Sequence, residues 1–172
     1  MSCPSLAEIE QLAAAQGLLL RLQVRQWLAV STLRVVVARP RPDQPPLLLG
    51  ELKGWALPLP GALQLDTMRV QGPQTQGVGA LIWAATFAWA LEATPCRSAR
   101  LLAIRDNDQQ HRHLVRYFRR LGFEPIREVG AAAADLPLRL VWGGAGLLMR
   151  GDCGAGLERV SRRLPRQPAS VD

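Results

Sequence analysis

Lysine and tyrosine occur once each in the 172 residues, histidine twice and cysteine three times. Cys3, Cys96 and Cys153 are odd in number and lack metal-ligand spacing, so reduced thiols are expected rather than a zinc site. No apolar run reaches the roughly 20 residues that span a bilayer; the longest, Val78–Leu91, reads as a buried helix. Met1–Leu12 carries Glu8 and Glu10 and no basic-then-apolar pattern, so no export signal is read and a cytoplasmic location is expected. Internal repeats and a convincing linker are absent. So are aromatic–basic interleaving, zinc knuckles and a recognition-helix pattern, which leaves specific nucleic-acid binding unexpected despite a net charge of +7. With Lys53 the only lysine, nearly all that charge is arginine, a bias that more often reflects a GC-rich genome than a ligand. Arg159, Arg162, Arg163 and Arg166, with two prolines, read as a frayed, solvated end.

What is present fits one α/β domain over residues 1–164 with a flexible tail, Pro165–Asp172. An apolar fraction of 48% is enough for a continuous core. Ser5 followed by Glu8 forms a capping box ahead of Ile9, Leu12 and Ala13, and Gly17 stands where a left-handed stop belongs. Leu18–Val24, Leu28–Ala38, Leu47–Leu57 and Leu63–Val70 read as strands of an antiparallel meander. Arg39–Pro46 reads as a turn that continues neither flanking strand. A Gly/Pro/Gln loop leads to a helix over Gly79–Ala93, apolar almost all round and stopped at Thr94–Pro95. Arg100–Ile104 is a short strand. Asp106–Leu121 is an amphipathic helix carrying Leu114, Phe118 and Leu121 on one face, with Gly122 as its stop and Phe123 packing back. Phe123–Val129 and Leu138–Trp142 are expected to close the chain as strands joined by a flexible Gly130–Ala134. The five tryptophans, Trp27, Trp55, Trp83, Trp89 and Trp142, are expected in the core. The strand–loop–helix–strand unit from Val70 to Ile104 predicts one parallel pairing in an otherwise antiparallel sheet.

Gln74–Gly79 (QTQGVG) follows a strand and opens a helix. Unpaired N–H groups and the positive end of the dipole make such a helix start a phosphate site, and Gly77 and Gly79 keep side chains out of the way. A plain strand-to-helix turn is the alternative. The segment is not a Walker loop, because no Gly-Lys-Ser/Thr follows, and it lacks the third glycine and later acid of a dinucleotide fold.

Gln74, Gly77 and Gly79 match the pattern of Gln or Arg, two residues, Gly, one residue, Gly or Ala that marks the GNAT N-acetyltransferases. Leu63–Val70 resembles that family's fourth strand, and Leu114–Phe123 (LVRYFRRLGF) its late helix with an aromatic before Gly-Phe. The resemblance covers roughly Leu47–Val129. Trp142-Gly143-Gly144 through Met149 is similar to GNAT-like chains of photosynthetic organisms. The resemblance implies a mixed sheet with an antiparallel N-terminal meander, a central strand–pyrophosphate loop–helix–strand unit and helices on both faces. It implies acetyl-CoA as co-substrate, with the pyrophosphate on Gln74, Thr75, Gln76, Gly77, Val78, Gly79 and Ala80. Backbone near Arg69 and Val70 would hold the pantetheine where the fourth and fifth strands splay. An amine acceptor would attack the thioester directly, helped by proximity, an oxyanion donor, a base and an acid for the thiolate. No metal is implied, and a homodimer or protein partner stays open.

Counting back from Gly122-Phe123 places Phe118, not Tyr117, at the family's usual acid tyrosine; one residue is about 100° of helix. His111 falls at the usual Asn position, and Asn107 about one turn further away. Asp66 and Glu51, on predicted strands near the cleft, are candidate bases, with ion-paired or solvated surface residues as the alternative. His111 and His113 have suitable proton affinity but stand two apart and cannot share a face. Tyr117, Asp66 and His111 are therefore the candidate catalytic residues. Two functional readings follow: an N-acyltransferase using acetyl-CoA, or a catalytically weak acyl-CoA-binding sensor or assembly protein. A basic scaffold in which the loop is only a turn is the third.

Overall fold

The computed structural model describes residues 2–164. Helix α1 (Leu6–Ala15) starts on the expected capping box: the Ser5 hydroxyl accepts from the Glu8 N–H while the Ser5 N–H donates to the Glu8 carboxylate at 2.6 Å. Gly17, at φ +71°, turns the chain into a meander of β1 (Leu19–Trp27), β2 (Val30–Arg41), β3 (Gln44–Ala56) and β4 (Leu63–Val70). The strands run further than the prolines predict, because Arg39–Pro46 is not one turn. Register shifts fall between Val37 and Ala38 and between Arg39 and Arg41, and proline is tolerated at such irregularities, where its missing donor leaves no ladder bond unmade. Only residues 42–43 turn, with Asp43 at φ +54°.

Helix α2 (Val78–Ala93) and β5 (Ser98–Ile104) follow, then α3 (Asp108–Leu121) and β6 (Glu124–Val129). Gly122, at φ +99°, ends α3, and the Phe123 N–H donates to the Phe118 carbonyl at 3.0 Å, which swings Phe123 into the core. Two departures come next. Leu138–Trp142 is not a strand but the end of helix α4 (Leu136–Trp142), which has proline in its first turn and Gly143 in the left-handed stop position. The closing strand is β7 (Gly146–Asp152), and Asp152 then caps α5 (Cys153–Ser161) by accepting from the Ala155 N–H at 2.8 Å. Arg159, Arg162 and Arg163 thus belong to α5 and the turn after it, not to a frayed end, and Leu164 is buried. The predicted tail Pro165–Asp172 lies outside the described residues.

Among the described residues seven strands lie in the order β1-β2-β3-β4-β5-β7-β6, antiparallel except for the predicted parallel β4–β5 pair. This is the mixed sheet and crossover that the GNAT resemblance implies. Helices lie on both faces, unequally. Val35, Leu52, Leu101 and Met149 point to one face and share a single core with Ile9 of α1, Trp83 and Phe87 of α2, Phe118 of α3 and Leu157 of α5. Each large side chain sequestered there contributes about 1.5–3 kcal/mol. Gly156 lets α5 come close against α2, since a Cβ on it would stand 2.7 Å from the Phe87 ring. On the other face a small cluster of Val129, Trp142 and Leu148 sits under α4, and no helix of the described residues covers β1–β4. Trp83, Trp89 and Trp142 are buried as expected. Trp27 is 76% exposed beside the β1–β2 turn, and Trp55 is half-buried on the uncovered face. No helix among the described residues is long and apolar enough to cross a membrane.

Candidate functional site

The site begins with a fault in the β3–β4 ladder. Lys53 pairs with Thr67 and Gly54 with Leu65, so Asp66 is an extra residue on β4. Gly54 is required there, because a Cβ would come within 2.6 Å of the Gln64 carbonyl oxygen. The β4–β5 pairing stops at the same level: it covers Leu63–Leu65 against Ala99–Leu101 and goes no further. From Asp66 to Val70 the β5-facing edge of β4 has no strand partner among the described residues. A cavity of about 40 Å³ opens in that wedge, lined among others by Asp66, Met68, Trp83, Leu102 and Phe118.

Beyond the wedge lies the glycine loop. The Gln71 N–H still pairs with the Leu49 carbonyl at 2.8 Å, after which Gly72, Gln74 and Gly77 take φ values of +91°, +56° and +82°. The Val78 N–H folds back on the Thr75 carbonyl and the Leu81 N–H on the Gly77 carbonyl, each at 3.1 Å. The N–H groups of Gly79 and Ala80 have no acceptor among the described residues. Gly50 brings this helix start onto the sheet, since a Cβ on it would lie 2.7 Å from Ile82 and 2.9 Å from Val78. The Arg39 guanidinium donates to the carbonyls of Pro73 and Gln74 at 3.3 and 2.8 Å, so the loop is held by a residue that the sequence places in a turn. Free N–H groups at the positive end of a 16-residue helix, with no side chain on Gly77 or Gly79, fit a phosphate.

The aromatic pair on α3 divides between two surroundings. Phe118 faces the wedge, whereas the Tyr117 hydroxyl accepts from the Trp83 indole N–H at 2.8 Å and lies 3.6 Å from where a Cβ on Gly79 would stand. Burial pushes the Tyr117 hydroxyl above its usual pKa, against a smaller opposite effect of the Trp83 bond, so it stays protonated at neutral pH. With its oxygen accepting from Trp83, its own O–H is free to donate.

The remaining candidates separate. Asp66 lines both the wedge and a groove on the uncovered face. Glu51 is ion-paired to Arg34 at 2.6 Å and to Lys53 at 3.3 Å; the Arg34 hydrogen bond, above all, holds its carboxyl below the usual carboxylate value. His111 is buried, with Nδ1 3.2 Å from the Ile104 carbonyl and Nε2 3.4 Å from Arg105, so both ring nitrogens are engaged away from the wedge. His113 is exposed. The Asn107 side chain caps α3 by accepting from the Gln109 and Gln110 N–H groups. The described residues contain no group of three His, Cys, Asp or Glu side chains able to hold a metal ion. Sequence reasoning missed Arg39 and the role of Trp83 as partner to Tyr117; neither contact leaves a mark in local spacing.

No family model and no curated protein matches the chain. Solved structures similar to it include an aminoglycoside 6′-acetyltransferase type Ii, at 16% identity over 70% of this chain and 69% of that one, with a TM-score of 0.43. A chimera of spermidine N-acetyltransferase SpeG from Vibrio cholerae with hSSAT aligns at 12% identity over 83% of this chain and 99% of that one, TM-score 0.47. A single-residue mutant of the same Vibrio cholerae SpeG aligns at 13% identity over 92% and 96%, TM-score 0.44.

Proposed function

We propose that this chain is an N-acyltransferase that moves the acetyl group of acetyl-CoA to an amine. One observation carries the reading: β4 parts from β5 at the Asp66 bulge, directly ahead of a helix start whose Gly79 and Ala80 N–H groups are free. Gln74–Ala80 would hold the pyrophosphate, and the unpaired β4 edge near Arg69 and Val70 would take the pantetheine amides. Bound acetyl-CoA supplies the thioester carbonyl whose acetyl group passes from sulfur to nitrogen. Asp66, at the mouth between wedge and groove, receives the proton of the incoming amine. Tyr117, protonated and free to donate, returns a proton to the departing thiolate. Glu51 is tied into its ion pairs and His111 into the end of β5, so neither is assigned a proton-transfer role.

A second reading keeps the cofactor and drops the turnover: an acyl-CoA-binding sensor or assembly protein. The presence of Phe118, which has no proton to give, at the wedge favours it. Two measurements separate the readings. Millimolar acetyl-CoA should raise the melting temperature through binding to the folded state alone. CoA release with a panel of amines should then appear in the parent and fall by roughly 10²–10⁴-fold in Asp66→Asn. No thermal shift and no calorimetric binding would end both readings; binding without CoA release from any amine would leave the sensor.

A further inference from the structure

The uncovered face of β1–β4 is not a blank surface. It carries a groove of about 550 Å³, within the range of small-molecule sites, and Asp66 lies on both the groove and the wedge. Strand register orders the side chains across it. One cross-strand row runs Arg25, Thr32, Trp55, Gln64, Arg100, and the adjacent row runs Arg34, Lys53, Thr67. Lys53, the only lysine of the chain, thus sits one strand from the bulge, about 5 Å across the sheet. Arg100 lies on the strand beyond, and its buried Nε has no acceptor among the described residues. Glu51 pairs with both Arg34 and Lys53, yet the groove's cations Arg25, Arg34 and Lys53 still outnumber Glu51 and Asp66, and Trp55 is among the lining residues.

We infer that this groove is the acceptor site and that it selects an amine bearing a carboxylate, of the α-amino-acid kind. The inference rests on the acyltransferase reading. An α-amino acid holds nitrogen and carboxylate on a single carbon, so one end meets Asp66 while the other meets Lys53. The rest of the molecule lies along Trp55 toward Arg25. An amine without the anion leaves those cations unanswered, and a diamine adds repulsion from them.

Matched acceptors test this: L-phenylalanine against phenethylamine, and L-lysine against cadaverine, each followed by CoA release from acetyl-CoA. The carboxylated member of each pair should have the higher kcat/KM by about tenfold or more, and Lys53→Gln should shrink that ratio by raising KM. Equal turnover of both members, a preference for the carboxylate-free one, or a ratio untouched by Lys53→Gln overturns the anion site and leaves acyl transfer standing. If no amine releases CoA, the acyltransferase reading falls and binding alone decides. Calorimetric binding of N-acetyl-L-phenylalanine that is lost in Lys53→Gln upholds the anion site, and no binding by the parent refutes it.

Discussion

The indole N–H of Trp83, on the second turn of α2, donates at 2.8 Å to the hydroxyl of Tyr117 on α3. This bond joins the helix that starts at the glycine loop to the helix that flanks the wedge, and it holds the oxygen of the one tyrosine of the chain 3.6 Å from where a Cβ on Gly79 would stand.

Tyr117→Phe is therefore expected to have two separable effects. Leaving the buried Trp83 N–H unpaired should cost about 1–3 kcal/mol in urea unfolding. Loss of the proton donor should lower kcat by at least about tenfold with acetyl-CoA affinity changed far less, because a donor to the leaving thiolate acts in the transition state. A stability loss without the kinetic one would reduce Tyr117 to a packing residue.

Gly79→Asp should fold and fail to bind. Its new Cβ would meet only ordinary contacts, Met68 and the Tyr117 hydroxyl at 3.6 Å, yet its carboxylate would occupy and repel the phosphate position. The expected result is an unfolding curve close to the parent's and no melting-temperature rise with CoA. Gly77→Asp should also lose the rise, with an additional cost of about 1 kcal/mol for a side chain at φ +82°. A retained shift in Gly79→Asp would reduce the loop to a turn.

Phe118→Tyr places a hydroxyl in the wedge, whose cavity of about 40 Å³ has room for one oxygen. If supply of a proton to the thiolate limits the parent, turnover should rise by about tenfold or more. An unchanged kcat with intact acetyl-CoA binding would show that this proton is not limiting.

Cysteine chemistry should divide by position. Cys3 is exposed, whereas Cys96 and Cys153 are buried, so iodoacetamide should label one thiol per native chain at neutral pH and three after unfolding. Burial pushes the Cys153 thiol up to about 12 from 9.0. Its folded form therefore holds a proton that the unfolded form releases, and stability should fall between pH 9 and 12 at up to roughly 1.4 kcal/mol per pH unit from this group. Cys153→Ala should flatten that part of the stability–pH curve, and an unchanged slope would refute the assignment.

Local chemistry was what the sequence made legible. The Ser5–Glu8 box, the Gly122–Phe123 stop and the strand–glycine loop–helix unit are each determined within a few residues, and each appears where the spacing places it. Leu138–Trp142 was misread because five residues rich in apolar side chains satisfy strand and helix alike. The signals that decide for helix, Pro137 and Gly143, lie outside the run. Glycines obscured β7, and α5, which Asp152 caps, went unread with it. The Asp66 bulge depends on a register between strands, so nothing near residue 66 announces it. The exposed Trp27 and half-buried Trp55 follow from a face left without helices, which no single strand encodes.

Arg39 has a kinetic consequence. By gripping the Pro73 and Gln74 carbonyls it fixes the loop before any ligand arrives, so little backbone freedom remains to be frozen at encounter. Capture of a phosphate-bearing molecule should then proceed in a single exponential without a slow ordering step, and differences among related ligands should lie in how quickly each departs. In Arg39→Gln the tether is cut, and the signature is a lag: a second, concentration-independent phase in stopped-flow traces, as the loop finds its shape around the guest.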